Sequence, residues 1–267
     1  MKLKLIALAA MLAAGSANAA IDGGNVNTGN GELFFSIWDT TQSYTRDLNV
    51  SIDAFQTSLA AAGNLNLSFA ADATFTSFLA GVADVNALKW NIIATDTSGA
   101  RRNLTTYTLP EDTTPLVADI GRSMAGGIQA KINNINGTAG FNSNGGLAGV
   151  GGDSAIFLAS DAGYTGNDIS FGTMLGNKAG FDTTGTVARN SYATGLGFMR
   201  VDSAAIGTAV SGLNEYSDNA FAVNAWLDGG NTLHIAAAVA PVPEPETYAL
   251  MLAGLGLVGF MARRRKI

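Results

Sequence analysis

The sequence predicts a mainly β protein: a β-sandwich-like body with one or two helices across its connections. Three observations lead there. Sixteen of the nineteen acidic residues between positions 20 and 241 are Asp, and Asn, Gly and Thr are abundant beside them. Asp, Asn and Gly make turns, whereas Glu and Lys favour helices. Alternation of period two recurs in short stretches bounded by turn residues, the pattern of half-buried strands. No Cys is present, so no disulfide framework exists, and a body of about 200 residues can bury enough core without one.

Taken in order, Leu33 to Trp38 is apolar on both faces and reads as a central strand. Asp47 to Ala54 alternates, with Leu48, Val50, Ile52 and Ala54 on one face and Asp47, Asn49, Ser51 and Asp53 on the other. Leu65, Leu67, Phe69 and Ala71 repeat the pattern, as do Leu88, Trp90, Ile92 and Ala94. The turn "DTSGA" followed by "NLTTYTL" completes a hairpin with the latter. One helix is expected, capped by Thr114 with Pro115 in its first position, and with Val117, Ile120, Met124, Ile128, Ile132 and Ile135 on one face. Residues 136–154 hold seven glycines and read as a flexible loop or subdomain linker. Ile156 to Leu158, Leu196 to Val201 and Phe221 to Leu227 are further strands, and "LDGGNTL" turns into a last one, Leu233 to Val239.

The two ends differ from this body. At residues 1–19, Lys2 and Lys4 precede ten apolar residues, and Ala17 and Ala19 put small side chains where a signal peptidase cuts. This is an export signal read by the Sec machinery, cleaved after Ala19. At the other end, Pro241, Pro243 and Pro245 stiffen an extended stalk. The fourteen apolar residues Ala249 to Ala262 follow. As a helix they reach about 21 Å, against a hydrocarbon core of about 30 Å. Their insertion gains only roughly 2 to 4 kcal/mol. Arg263, Arg264, Arg265 and Lys266 form a basic tip that stays on the cytoplasmic side. Gly254 to Gly259 satisfies a dinucleotide-binding pattern, but that pattern needs an acid about twenty residues on, and only eight residues follow Gly259. No cofactor is expected.

Pro243-Glu244-Pro245, the weakly apolar helix and the basic tip together resemble the PEP-CTERM sorting signal of Gram-negative bacteria, over residues 242 to 266. The resemblance implies transient contact with the inner membrane and recognition by exosortase, a membrane enzyme that acts as a cysteine protease or transpeptidase. It implies removal of the tail near Pro243-Glu244-Pro245 and delivery of the body to the cell surface or exopolysaccharide matrix. The chain thus divides into a signal peptide (1–19), a body (20–241) and a sorting or anchor segment (242–267). A permanent membrane anchor is the alternative use of the tail.

Between the ends, nine Lys and Arg face nineteen Asp and Glu, a net charge of −10. Such a body repels nucleic acid and suits divalent cations or cationic polymers. The single His234 shares its strand face with Thr232, Ala236 and Ala238, opposite Leu233 and Ile235, with no nucleophile elbow nearby. A glycosidase needs only two carboxylates about 5 to 10 Å apart. Glu32, Asp39, Asp53, Glu111 and Glu215 are candidates, with no pair distinguished from the rest. "SDAGYTGND" (160–168) groups oxygens in a tight loop without EF-hand spacing. Asn49, Asn66, Asn103 and Asn136 begin N-x-[ST] sequons. Thr74-Phe-Thr76 and Thr106-Tyr-Thr108 are isolated Thr pairs, too few for the regular array that ice recognition requires. The expectation is a non-enzymatic, exopolysaccharide-associated surface protein, with a paired-carboxylate hydrolase as the alternative.

Overall fold

The computed structural model describes residues 20–24, 29–60, 65–99, 101–107, 118–137, 141, 153–166, 185–186, 194–203, 212–215 and 223–237. Its strands are β1 (Glu32–Trp38), β2 (Gln42–Ser51), β3 (Asn66–Phe69), β4 (Lys89–Thr95), β5 (Arg102–Tyr107), β6 (Ser154–Leu158), β7 (Gly185–Thr186), β8 (Leu196–Asp202), β9 (Gly212–Glu215), β10 (Val223–Leu227) and β11 (Leu233–Ala237). The helices are α1 (Ile52–Ala60), α2 (Ala73–Ala80) and α3 (Ala118–Asn136), with a 3₁₀ turn at Val85–Ala87.

The mainly β class is as expected, but the strands form one sheet where a sandwich of two was anticipated. The order is β3-β11-β10-β8-β5-β4-β1-β2-β6, with β7 added to β4 and β9 to β8. Each pairing is antiparallel. The sheet curls until its ends approach. Just after the edge strand β3, Ala70 O accepts a 2.7 Å hydrogen bond from Arg46 of β2. Two residues later, Asp72 accepts from Tyr44 of β2 at 2.7 Å and from Ser154 of β6 at 2.8 Å. The same Asp72 caps α2 through Phe75 N at 2.6 Å, so one carboxylate starts the helix and pins it across the opening.

Curling explains how a single sheet buries apolar residues on both faces. The concave face gathers Leu33, Phe35 and Ile37 of β1, Trp90 and Ile92 of β4, Phe198 and Ile235 around Phe55 of α1 and Phe75 and Phe78 of α2. Phe75 stacks 4.8 Å from Tyr44 and meets Phe35 edge-on at 6.1 Å. The convex face carries Phe34, Ile93, Tyr107, Met199 and Val201 under Met124, Ile128, Ile132 and Ile135 of α3. All of β1 from Leu33 to Trp38 is buried, as its two-sided apolar pattern requires. The hairpins β4–β5 and β10–β11 stand where the sequence put them, as do Met124, Ile128, Ile132 and Ile135 of the α3 stripe; Val117 lies outside the described residues. The expected cap at Thr114 and Pro115 lies outside the described residues.

The stretch 47–54 is corrected. β2 stops at Ser51, and Ile52 begins α1. The register against β1 slips between Leu33 and Phe34, which pair with Val50 and Asp47. Leu48 and Asn49 therefore bulge out of the ladder, with Asn49 at φ 52°. Of the glycine-rich stretch, Phe141 is fully buried against Phe157 at 6.4 Å, while residues 142–152 lie outside the described ones.

α3 carries one correctable weakness. A Cβ added at Gly126, on its exposed side, would meet no atom within 4 Å. Gly126→Ala should raise stability by about 0.5–1 kcal/mol, since glycine loses more backbone freedom on helix formation. A thermal midpoint equal to or below that of the parent would show that this turn of α3 is not limited by helix propensity.

Candidate functional site

The described residues enclose a half-open cleft of about 500 Å³ at one end of the curled sheet. Trp38, Asp39, Thr40 and Thr41 supply one side, Gly81, Ala83, Asp84, Ala87 and Lys89 a second, and Tyr164 with Gly166 a third. Each wall is tied down by local chemistry. At the β1–β2 turn, Asp39 Oδ1 accepts from Thr41 N, Thr41 Oγ1 and Gln42 N at 2.7, 2.8 and 2.9 Å. Burial works upward on that carboxyl, but the three donors outweigh it and hold it below the usual carboxylate range. Gln42 donates from its side chain to Phe78 O at 3.3 Å, joining this turn to the end of α2. Asp84 accepts from Asn86 N at 2.9 Å and starts the 3₁₀ turn.

The third wall is bolted from behind. Lys131 of α3 is 2% exposed and donates to Tyr164 O and, at 3.4 Å, to Ala162 O. Its ammonium thus takes up two carbonyls of the stretch 160–168, whose last two residues lie outside the described ones. No group of three or more acidic, His or Cys side chains among the described residues is arranged to hold a metal. Tyr164 in turn donates its hydroxyl to Asp39 O. Burial, followed by the Asp39 charge, pushes its phenol upward, so it stays protonated as that donor.

Of the carboxylates singled out from sequence, Asp39 is the one among the described residues that lines the cleft. Glu32, at the opposite end of β1, accepts from Asp22 N at 3.0 Å, and Asp53 pairs with Arg102 at 2.5 Å. Glu215 sits on β9 facing Met199 in the ladder, and Glu111 is outside the described residues. Asp84, the second acid of the cleft, was not distinguished by sequence. Its only local signal is the capping pattern Asp84-Val85-Asn86, and it shares the cleft with Asp39 because β4 pairs with β1, Lys89 opposite Trp38.

His234 faces outward as anticipated, with Leu233 and Ile235 buried behind it. It stacks on Trp226 at 4.9 Å and bonds Asp228 Oδ2 at 2.9 Å. That bond, with the Thr232 and Gly230 amides, holds the Asp228 carboxyl low. The arrangement closes a hairpin and contains no nucleophile. Among the sequons, Asn103 is fully buried, accepting from Thr95 at 2.8 Å and donating to Gly121 O at 3.0 Å. Asn136 uses its amide on both backbone groups of Ile21, at 3.1 and 2.9 Å. Thr74 and Thr76 lie on a helix and Thr106 is buried, so neither Thr pair builds a flat array.

The cleavage residues Ala17 and Ala19 lie outside the described residues, as do Pro243, Glu244, Pro245, Arg263, Arg264, Arg265 and Lys266. No helix among the described residues is long and apolar enough to cross a membrane. Compared with known families, residues 241–266 match the PEP-CTERM protein-sorting motif. No curated protein and no solved structure matches the chain.

Proposed function

We propose, from the premise that this is an exported protein bearing a PEP-CTERM sorting tail, that exosortase releases a non-enzymatic body which then associates with exopolysaccharide at the cell surface. The sorting motif across residues 241–266 is the observation that carries this reading. Sec export and signal-peptidase cleavage after Ala19 precede it. The tail holds the chain briefly in the inner membrane, with Arg263 to Lys266 inside and Pro243-Glu244-Pro245 presented for cutting. Support also comes from β11, which is locked between β3 and β10. This last described strand ends at Ala237, six residues before Pro243, so the sorting motif follows the body's final strand closely in sequence.

Intact-mass measurement on the exported protein tests the reading. The expected product starts at Ala20 and ends near Pro243. Replacing Pro243, Glu244 and Pro245 with Ala should leave the tail attached and the protein in the membrane fraction. A native product that still ends at Ile267 would favour the permanent anchor. The hydrolase reading draws on Asp39 and Asp84 sharing one cleft. A glycosidase needs one carboxyl ionised and a second held protonated as the acid, and the hydrogen bonds to Asp39 suit it to the first role only.

A further inference from the structure

We infer that the cleft between the β1–β2 turn, the end of α2 and the 160–166 loop binds a polysaccharide through sugar units that carry a free ammonium group. The inference rests on the polysaccharide association proposed above and assigns it a site and a sugar class.

The charge pattern selects a cation. Asp39, held ionised by its three donors, and Asp84 both line the cleft, against the single Lys89. A uronic acid or a phosphate would meet two carboxylates here. A neutral sugar would leave them without a counter-charge. A bare divalent ion has too few ligands among the described residues.

The remaining lining favours a sugar as the carrier of that charge. Trp38 and Tyr164 bring aromatic rings to two of its sides, and an aromatic surface suits the C–H face of a pyranose. Gly166 leaves room beside both rings. A Cβ there would lie 2.1 Å from the Tyr164 hydroxyl and 3.0 Å from Trp38 Cδ1. Thr40 and Thr41 bring hydroxyls to the rim. A volume of about 500 Å³ falls within the range of small-ligand sites, roughly 300–1,000 Å³. The bonds of Gln42, Tyr164 and Lys131 hold the walls in place before any ligand arrives, so binding loses little free energy to ordering.

The test is calorimetric titration of the mature exported protein with glucosamine oligomers, their N-acetylated counterparts, cello-oligosaccharides and oligolysine, at physiological salt. Glucosamine oligomers should bind saturably at one site, about tenfold tighter than either uncharged series. Asp84→Asn retains the capping acceptor but removes a charge, and should weaken binding about fivefold. Asp153→Asn removes the same charge outside the cleft and should change it less than about twofold. Gly166→Val should abolish binding while circular dichroism reports an intact fold. Equal losses in the two Asp variants would reduce the effect to general attraction by an acidic body and overturn the site. Equal affinity for neutral sugars would overturn the amino-sugar class, and tighter, Asp84-dependent binding of oligolysine would point to a basic peptide instead. Tail removal is scored separately by mass, so loss of glycan binding with normal processing sinks this inference and leaves the sorting reading standing.

Discussion

Replacing Arg102 with Met should lower the unfolding free energy by roughly 3–5 kcal/mol, the usual cost of leaving a buried charge unpaired. Arg102 enters β5 beside the end of β4, and its side chain is 15% exposed. Nε and Nη2 donate to Asp96 Oδ2 at 3.2 and 3.1 Å, Nη1 to Asp53 at 2.5 Å, and Nη2 also to Gly29 O at 3.0 Å. One guanidinium thereby joins the β4–β5 hairpin, the first turn of α1 and the segment before β1. Burial favours the neutral form of Arg102, but the two carboxylates outweigh it and raise its affinity for the proton.

The arms of this network are unequal. Asp53 is 58% exposed, so solvent screens that arm to about 0.2–1 kcal/mol. Asp96 is 3% exposed, and without Arg102 its carboxylate keeps Ser98 as its donor among the described residues, at 3.2 and 3.3 Å. The loss should appear as a thermal midpoint lowered by about 6–20 °C. Arg102→Lys should fall between, because an ammonium cannot make the forked contact. The Arg102→Met, Asp96→Asn double variant should recover most of the loss, since it removes the stranded charge as well. If the double variant is as unstable as the single one, the stranded-charge account is wrong and lost packing is the cause.

Where local pattern and burial agree, the sequence was enough to read the fold. β1, β4, the two hairpins and the α3 stripe each announce themselves by period and by turn residues, and the structure keeps them. The curl was not legible. It depends on Asp72 reaching Tyr44 and Ser154, contacts 28 and 82 residues apart, which leave no periodic mark. The same holds for the cleft, whose third wall is fixed by Tyr164 bonding to Asp39, 125 residues away. At 47–54 the alternation was real but its meaning changed. A bulge at Leu48–Asn49 shifts the register, and the chain turns into α1 three residues later. Asp47 stood on the polar face of the anticipated strand. In the fold it is 1% exposed.

That buried acid carries the second large expected effect: Asp47→Asn should make the protein progressively more stable than its parent as the pH rises from about 4 to 8. Asp47 Oδ1 accepts from Asn49 N at 2.8 Å, which shapes the bulge, while Oδ2 has no hydrogen-bond partner among the described residues. Burial pushes its carboxyl up to about 8, helped by Glu32 on β1 and Asp153 before β6; the Asn49 amide and Arg46 act against them. A raised carboxyl binds its proton more tightly in the folded state than in the unfolded chain, where about 3.9 is usual. Its contribution is therefore complete below about pH 4 and is lost, at about 1.4 kcal/mol per unit, as pH climbs to the folded value. Asn at this position keeps the acceptor for the Asn49 amide, does not titrate, and offers a donor to the neighbouring carboxylates. Urea midpoints of the two proteins should lie closest at about pH 4 and separate steadily up to pH 8, with the parent the weaker. Glu32→Gln should give a shallower version of the same change, because it removes one of the charges that raise Asp47. Parallel pH profiles for parent and Asp47→Asn would mean that the carboxyl is already ionised in the fold. Arg46, the nearest cation, would then outweigh both burial and its two acidic neighbours.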